Sequence, residues 1–376
     1  MGNQLKFVQM SLGCDPEFFF KRNGKVCGAE KVLPENGLVS KDSYDTSGKF
    51  IIDGVQAELN PEPNTCRANL GNEIGRCFRT LMNKIKEDPS LSVDFSQMAT
   101  LTKKELNSLS EKAKTFGCAP SHNTYTKKES SIKLDGTKAL SRAAGGHIHI
   151  GKFNNKYDTS KIYTDVNWAL ETPERMVPLL DILVGNTCVL VDKSPDGIKR
   201  RKHYGRAGDY RTPKHGLEYR TLSNFWLQAY PLMSLVMGLT RTAVLILANS
   251  RDNDAIEKSI VSQVKPLHIK KAINNCDFDL AYKNFKKIED PLIEVVGGGY
   301  SYPLNENTIN EFHHFITQPL GYWFKHDPVK HWASLPDGHS CGWETFAMKQ
   351  VREDMKISNL TDKVMSKYNT RRMITV

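Results

Sequence analysis

Four short segments place ionisable side chains where a packed strand would carry apolar ones. The first is Asp15-Pro16-Glu17, beside Phe18, Phe19 and Phe20. Residues i and i+2 of a strand share a face, and two carboxylates on one face repel unless a cation or a proton lies between them. The second is Gln56-Ala57-Glu58-Leu59-Asn60, again polar at alternate positions. The third is His147-Ile148-His149, flanked by Gly145, Gly146 and Gly151. Two histidines so spaced can both face a metal or a phosphate, and the glycines let a ligand approach the backbone. The fourth is Glu218-Tyr219-Arg220, preceded by Arg206 and Arg211. A glutamate and an arginine on one strand face can hold a cation and an anion side by side, the guanidinium fork being matched to phosphate.

Taken singly, each segment also fits a turn or a half-exposed, salt-bridged strand. Taken together they form a set of carboxylates and histidines without thiolates, which suits hard cations such as Mg²⁺ or Mn²⁺. A zinc His-x-His site lacks a supporting cysteine spacing. The arginines add an anionic, polyphosphate-like substrate. No Gly-x-x-x-x-Gly-Lys-Ser/Thr loop is present, nor a Gly-x-Gly-x-x-Gly after a strand, so nucleotide binding would rest on metals and arginines.

The elements that must position these residues follow from periodicity and turn signals. Residues 5–20 read as one strand, with a hairpin turn at Asn23-Gly24 and a return through Val26 to Val32. Residues 50–60 read as two strands broken at Asp53-Gly54. Helical spacing covers Ala68 to Lys86, and a polar helix capped by Thr102 covers Lys103 to Thr115. Ile132 to Leu140 reads as loop, and residues 146–151 as a strand. Pro173 to Val191 reads as one apolar helix. Lys193 to Gly216, with its run Lys199 to Arg206, reads as a long functional loop, before a strand at Gly216 to Leu222. The rest reads as helical through Val236–Ala248, Asp254–Val264 and Asn305–Phe324, with a charged tail from Asp354. Short hairpins favour an antiparallel sheet, so the fold class is α+β.

A chain of 376 residues can bury a large core without disulfides. Its eight scattered cysteines lack any Cys-x-x-Cys pair and read as reduced thiols of a cytoplasmic protein. The N-terminus lacks an apolar signal core, and the one long apolar stretch, Phe225 to Ala248, contains Gln228, Pro231 and Arg241. A buried helix is expected there and no membrane partner. The formal net charge of +10 favours anionic partners without choosing among nucleotides, nucleic acids and acidic polymers.

The motif order Asp-Pro-Glu-Phe-Phe, a strand with Glu58, Gly-Gly-His-Ile-His and Glu-Tyr-Arg resembles the glutamine synthetase and glutamate–cysteine ligase superfamily. In detail Gly13 to Glu17, Asp53 to Pro61, Gly117 to Pro120 and Leu217 to Trp226 look like the phage-associated COOH–NH2 ligases of type 2. The resemblance spans about residues 8–250. It implies a glutamine synthetase-type antiparallel sheet flanked by helices, with residues 1–250 as catalytic core and 251–376 as a helical C-terminal extension. It implies an ATP-dependent carbon–nitrogen ligase that joins a carboxylate of unknown identity to an amine of unknown identity through an acyl phosphate, in the cytoplasm of a bacterial host if phage-encoded. It further implies ATP and Mg²⁺ or Mn²⁺ as cofactors. Asp15, Glu17, Glu58, His147 and Glu218 would be metal ligands. His149, Arg211 and Arg220 would lie at the nucleotide phosphates, and Arg206, Arg211 and Arg220 would stabilise the transferred phosphoryl group. Two departures stand out: Asp15 replaces the usual Glu, and only Glu62 or Asp53 can supply the second glutamate of the Glu58 strand. A guanidino-kinase-like phosphotransferase is the nearest alternative. A basic nucleic-acid-binding or virion-associated protein is the other, resting on the run Lys199 to Arg206. The motifs leave oligomeric state open.

Overall fold

A computed structural model describes residues 10–41, 47–115, 120–130, 136–152, 161–192, 194–297, 316 and 327–335. Expectations for residues 5–9, Gly117 to Ala119, 132–135, Asn305–Phe324 and the tail from Asp354 lie outside these residues.

The Asp15-Pro16 dipeptide divides the first expected strand in two. Proline has no N–H to donate and restricts the residue before it, so the ladder stops there. Strand β1 (Ser11–Cys14) joins one sheet and β2 (Glu17–Arg22) another. At Asn23-Gly24 both residues take positive φ, 50° and 75°, as the mirror-image hairpin turn requires. β3 (Lys25–Cys27) then returns antiparallel to β2. β4 (Leu38–Lys41), β5 (Ser47–Asp53) and β6 (Gln56–Asn60) complete a second hairpin system, turning at Gly54 with φ 60°. β7 (Leu91–Asp94) lines the other side of β2, so this sheet runs β3-β2-β6-β5-β4 with β7 beside β2.

The other large sheet has the order β1-β12-β14-β13-β9-β10. Its members are β9 (Ser121–Asn123), β10 (Lys128–Ser130), β12 (Ile148–Gly151), β13 (Asp209–Arg211) and β14 (Gly216–Tyr219). A small ribbon pairs β8 (Met98–Thr100) with β11 (Ser141–Ala143). Every strand pairing among the described residues is antiparallel. The protein is thus α+β with antiparallel sheets.

Helices cover both sheets. α1 (Arg67–Lys86) follows its expected span closely, and Thr102 caps α2 (Lys103–Asn107) in a full capping box. The expected second helix ends there, and α3 (Glu111–Lys114) restarts after Ser110. α4 is Lys161–Glu171. The apolar helix at 173–191 is interrupted: α5 (Pro173–Leu180) and α6 (Asn186–Val191) flank a π-helical turn at Asp181–Gly185. Pro178 removes one N–H from the ladder just before it.

The segment expected as a long loop holds a helix, α7 (Gly197–His203), and then β13. α8 (Tyr230–Asn249) is long and apolar enough to cross a membrane, yet its apolar window is wholly buried within the protein. α9 (Ala255–Val261), α10 (Pro266–Asn274), α11 (Phe278–Gly297) and a last described helix, Pro328–Ser334, follow.

Strand alternation explains the aromatic run. Phe18 and Phe20 face one way, into the main core with Phe50, Phe78 and Phe95. Phe19 faces the other way, with Val55, Ala99 and Leu101. Burying each such ring stabilises by roughly 1.5–3 kcal/mol, so β2 is fixed on both faces. The main core also takes in Ile260, Ile273, Phe285 and Trp332, which ties the helices after residue 250 into it. Trp332 stacks on Phe78 at 6.1 Å and donates to the Leu227 carbonyl at 2.8 Å. Among the described residues no two cysteines form a disulfide.

Candidate metal and substrate site

The site lies at the junction where the chain passes from one sheet to the other. The Glu17 N–H donates to the Gly145 carbonyl at 2.9 Å, and the Leu59 N–H to the Pro16 carbonyl at 3.0 Å. These bonds hold β1–β2, β6 and the start of β12 together. Register then sets the side chains: Gly13 opposes His149, His149 opposes Glu218, and Glu17 opposes Glu58.

Asp15 and Glu17 do not share one site. Asp15 joins His149 and Glu218, each offering one ligand atom within 4.8 Å of the others. Glu17 joins Asp53 and Glu58 on the same terms. Of the two residues that could complete the Glu58 strand, Asp53 takes the place and Glu62 is exposed.

In the first group Asp15 Oδ1 is 3.0 Å from His147 Nδ1, and Asp15 Oδ2 is 3.1 Å from His149 Nε2. Glu218 Oε1 is 3.0 Å from Arg220 Nε and 3.4 Å from His147 Nδ1. Glu218 Oε2 is 3.6 Å from Arg211 Nη1. His149 Nδ1 meets His215 Nε2 at 3.0 Å. Burial would raise the Asp15 pKa, but His147 and His149 outweigh it and hold the carboxyl well below its usual range. Burial lowers the pKa of His147. For His149 burial would lower the pKa, but the adjacent Asp15 carboxylate outweighs it and the pKa rises.

In the second group one oxygen of Glu17 is held by the Gly145 N–H at 2.9 Å and by Gln56 at 3.3 Å. Its other oxygen is buried without a hydrogen-bond partner. Asn60 donates to Glu58 at 2.8 Å. Burial, with the neighbouring carboxylates, pushes Glu17 up to about 8 and Glu58 up to about 9, and raises Asp53. Protons can relieve such a cluster, and so can a cation. Glu17 Oε1 has no hydrogen-bond partner, and Asp15 Oδ1, Glu218 Oε1, His147 Nδ1 and His149 Nε2 have ion-pair contacts without hydrogen-bond geometry. Oxygen-rich groups with unsatisfied lone pairs fit hard divalent ions.

The arginines fall into different places. Arg220 is 1% exposed and turned into the protein, donating to Ser121 at 2.9 Å and to Tyr204 at 2.5 Å besides its pairing with Glu218. Arg211 is half-buried beside Glu218. Arg206 is not brought to the site. Its guanidinium donates to the carbonyls of Arg201 and Lys202, 3.1 Å each, at the end of α7. A helix end leaves carbonyls without partners, and a nearby arginine satisfies them.

The basic run is divided: Lys199, Lys202, His203 and Arg206 are exposed, and two arginines turn inward. Arg200 and Arg201 are buried and donate to the carbonyls of Ala144, Thr221 and Leu222. They brace the strand ends that carry His147 and Arg220. Sequence reasoning missed Tyr204, Ser121 and His215, which lie outside the alternating motifs.

Residues 124–333 match the family described as phage phiEco32-like COOH.NH2 ligase-type 2. The match starts after Asp15, Glu17 and Glu58 and runs on through helices beyond residue 250. No curated protein matches the sequence. Among solved structures, a bifunctional glutathione synthetase from Pasteurella multocida is similar with a TM-score of 0.36 and 9% identity. The alignment covers 86% of this chain and 56% of that one, so the chain spans about half its length. With more than half of its residues, including His147, His149, Glu218 and Arg220, inside the matched segment, the chain belongs to the phage phiEco32-like COOH–NH2 ligases of type 2, a family of carboxylate–amine ligases.

Proposed function

We propose that the protein is an ATP-dependent carboxylate–amine ligase of glutamine synthetase type, acting through an acyl phosphate. The observation that carries this reading is the meeting of two acidic groups at one sheet junction, Asp15/His149/Glu218 and Glu17/Asp53/Glu58. Each group would hold one Mg²⁺ or Mn²⁺. Bound there, such ions would neutralise charge on polyphosphate and on the transferred phosphoryl group. The chain's own residues do the rest. Arg211, half-buried beside Glu218, offers its guanidinium to phosphate. Arg220 stays inside and keeps Glu218 aligned. The Gly145 N–H and Gln56 fix one oxygen of Glu17 and turn the other toward Asp53 and Glu58.

The test is ADP release by purified protein with Mg²⁺, ATP and paired carboxylates and amines. Release that requires both partners supports ligation. Release with a guanidine and no carboxylate supports the kinase alternative. Glu218→Gln should lower turnover on a proven pair by ~10²–10³-fold. Unchanged turnover in that variant would sink the metal assignment.

A further inference from the structure

The strands of the site lead, past its last side chains, to a strip of positive charge. Arg211 opposes Glu218, and Asp209 shares its face of β13 two residues away. Asp209 opposes Asn123, and Asn123 opposes Lys128. Paired residues project to one face. Lys128 therefore stands on the face that carries Arg211 and Glu218, two strands from Arg211 or about 10 Å across the sheet. The segment after α7 lies over the same face, because the Asn123 amide donates to the Ala207 carbonyl at 2.9 Å. The Ala207 N–H in turn donates at 2.8 Å to Asn274 Oδ1, at the end of α10. The Tyr125 ring closes this seam: Gly208 packs against it, and Lys270 Nζ lies 5.1 Å from its centre.

Lys127, Lys128, Lys202 and Arg206 are exposed around the seam, and Lys270 is half-buried. Among the described residues none of them enters an ion pair, whereas Lys84, Lys114, Lys258 and Lys286 each meet an acid one turn away. Two acids close by in the chain do not neutralise the strip. Asp209 is buried and accepts from the Asn123 amide and the Arg206 N–H, at 2.8 and 2.9 Å. Glu129 alternates to the opposite face of the sheet. Cations left without counter-charges attract a polyanion from outside. Tyr125 is half-buried and engaged by Lys270 and Gly208, so it is not the stacking platform that single-stranded nucleic acids use. We propose that this strip seats an acidic polypeptide and leads one of its carboxylates to Arg211. A run of carboxylates supplies both the charge that the strip lacks and the group that a carboxylate–amine ligase consumes; this second half rests on the ligase reading. There a carboxylate oxygen would take the γ-phosphoryl group of ATP and ADP would leave. The amine nitrogen would then displace phosphate and pass it one proton.

Fluorescence anisotropy with fluorescein-labelled hexaglutamate, on full-length protein without ATP or metal, tests the surface alone. Wild type should bind it, more weakly as salt is raised. Lys127→Glu/Lys128→Glu/Lys202→Glu should weaken binding about tenfold. Lys86→Glu/Lys103→Glu/Lys104→Glu, an equal change of net charge on α1 and α2, should weaken it far less. No binding by wild type, or equal loss in the two variants, overturns the proposal. So does an oligonucleotide of equal charge that displaces hexaglutamate and binds more tightly, which would make the strip a nucleic-acid surface. ADP release with hexaglutamate as carboxylate and hydroxylamine as amine tests the substrate half. The first variant should raise the KM for hexaglutamate about tenfold with kcat unchanged. Binding without release, where another carboxylate is turned over, overturns that half. No release from any pair overturns the ligase reading, while anisotropy still decides the surface.

Discussion

At the scale of single residues, the carboxylate trio Glu17, Asp53 and Glu58 sets a proton–cation exchange. All three pKa values are raised, so around neutral pH the cation-free cluster retains protons. A divalent ion must displace them, so its affinity should climb as pH rises toward the range of about 8 to 9 and then level. Calorimetric titration with Mg²⁺ in buffers of different ionisation enthalpy should show proton release. Asp53→Asn should reduce both the release and the affinity; an unchanged proton count would remove Asp53 from the cluster. The histidine pair and Glu218-Tyr219-Arg220 were legible because a strand that alternates ionisable with apolar residues must give its ionisable face something to meet. Asp53 stood only as one of two choices, because nothing in Ile51-Ile52-Asp53-Gly54 shows which way a turn residue points. Tyr204 carried no signal, since the partners of its hydroxyl, His147 and Arg220, stand at the ends of β12 and β14.

At the scale of elements, the close approach of Gly146 to the turn after β14 is a sharp constraint. A Cβ on Gly146 would overlap the Ser223 carbonyl, which is backbone and cannot swing away, and would press on the Trp226 indole. Gly146→Ala should therefore cost roughly 1–3 kcal/mol, read as a lowered midpoint in urea unfolding. A midpoint equal to that of wild type would mean that the turn yields. Hairpins at Asn23-Gly24 and Asp53-Gly54 were readable because their turn residues name the backbone conformation. The π-helical turn at Asp181–Gly185 was not, because an apolar stretch keeps its periodicity through one widened turn. Nor was α7, whose buried Arg200 and Arg201 look, in sequence, like a solvated basic run.

At the scale of the whole molecule, one buried acid should shape stability against pH. Asp181 is fully buried behind β14, accepting from the Tyr219 hydroxyl at 2.7 Å. Burial pushes its pKa up to about 7, from about 3.9 in an unfolded chain. The folded state thus holds this proton more tightly than the unfolded state. Its contribution is complete below about pH 4, fades as pH rises toward 7, and is absent above. Asp181→Asn should gain on wild type between pH 5 and pH 8 by a few kcal/mol, in paired denaturant melts. A difference that stays constant with pH would show that Asp181 does not titrate in that window. The α+β class and the antiparallel pairing were readable from hairpin signals. The division of the strands between two sheets was not, because pairing across the chain leaves no local trace.

The break at Asp15-Pro16 has a consequence for how the two ions would sense each other. Each acidic group belongs to its own sheet, yet Asp15 and Glu17 are separated by one proline. Filling either group would pull on that short, stiff joint, so occupancy of one changes the strain met by the other. Affinities at the two positions should then be reciprocally linked, each ion altering the other's binding by the same factor. The joint would serve as the molecule's means of counting to two.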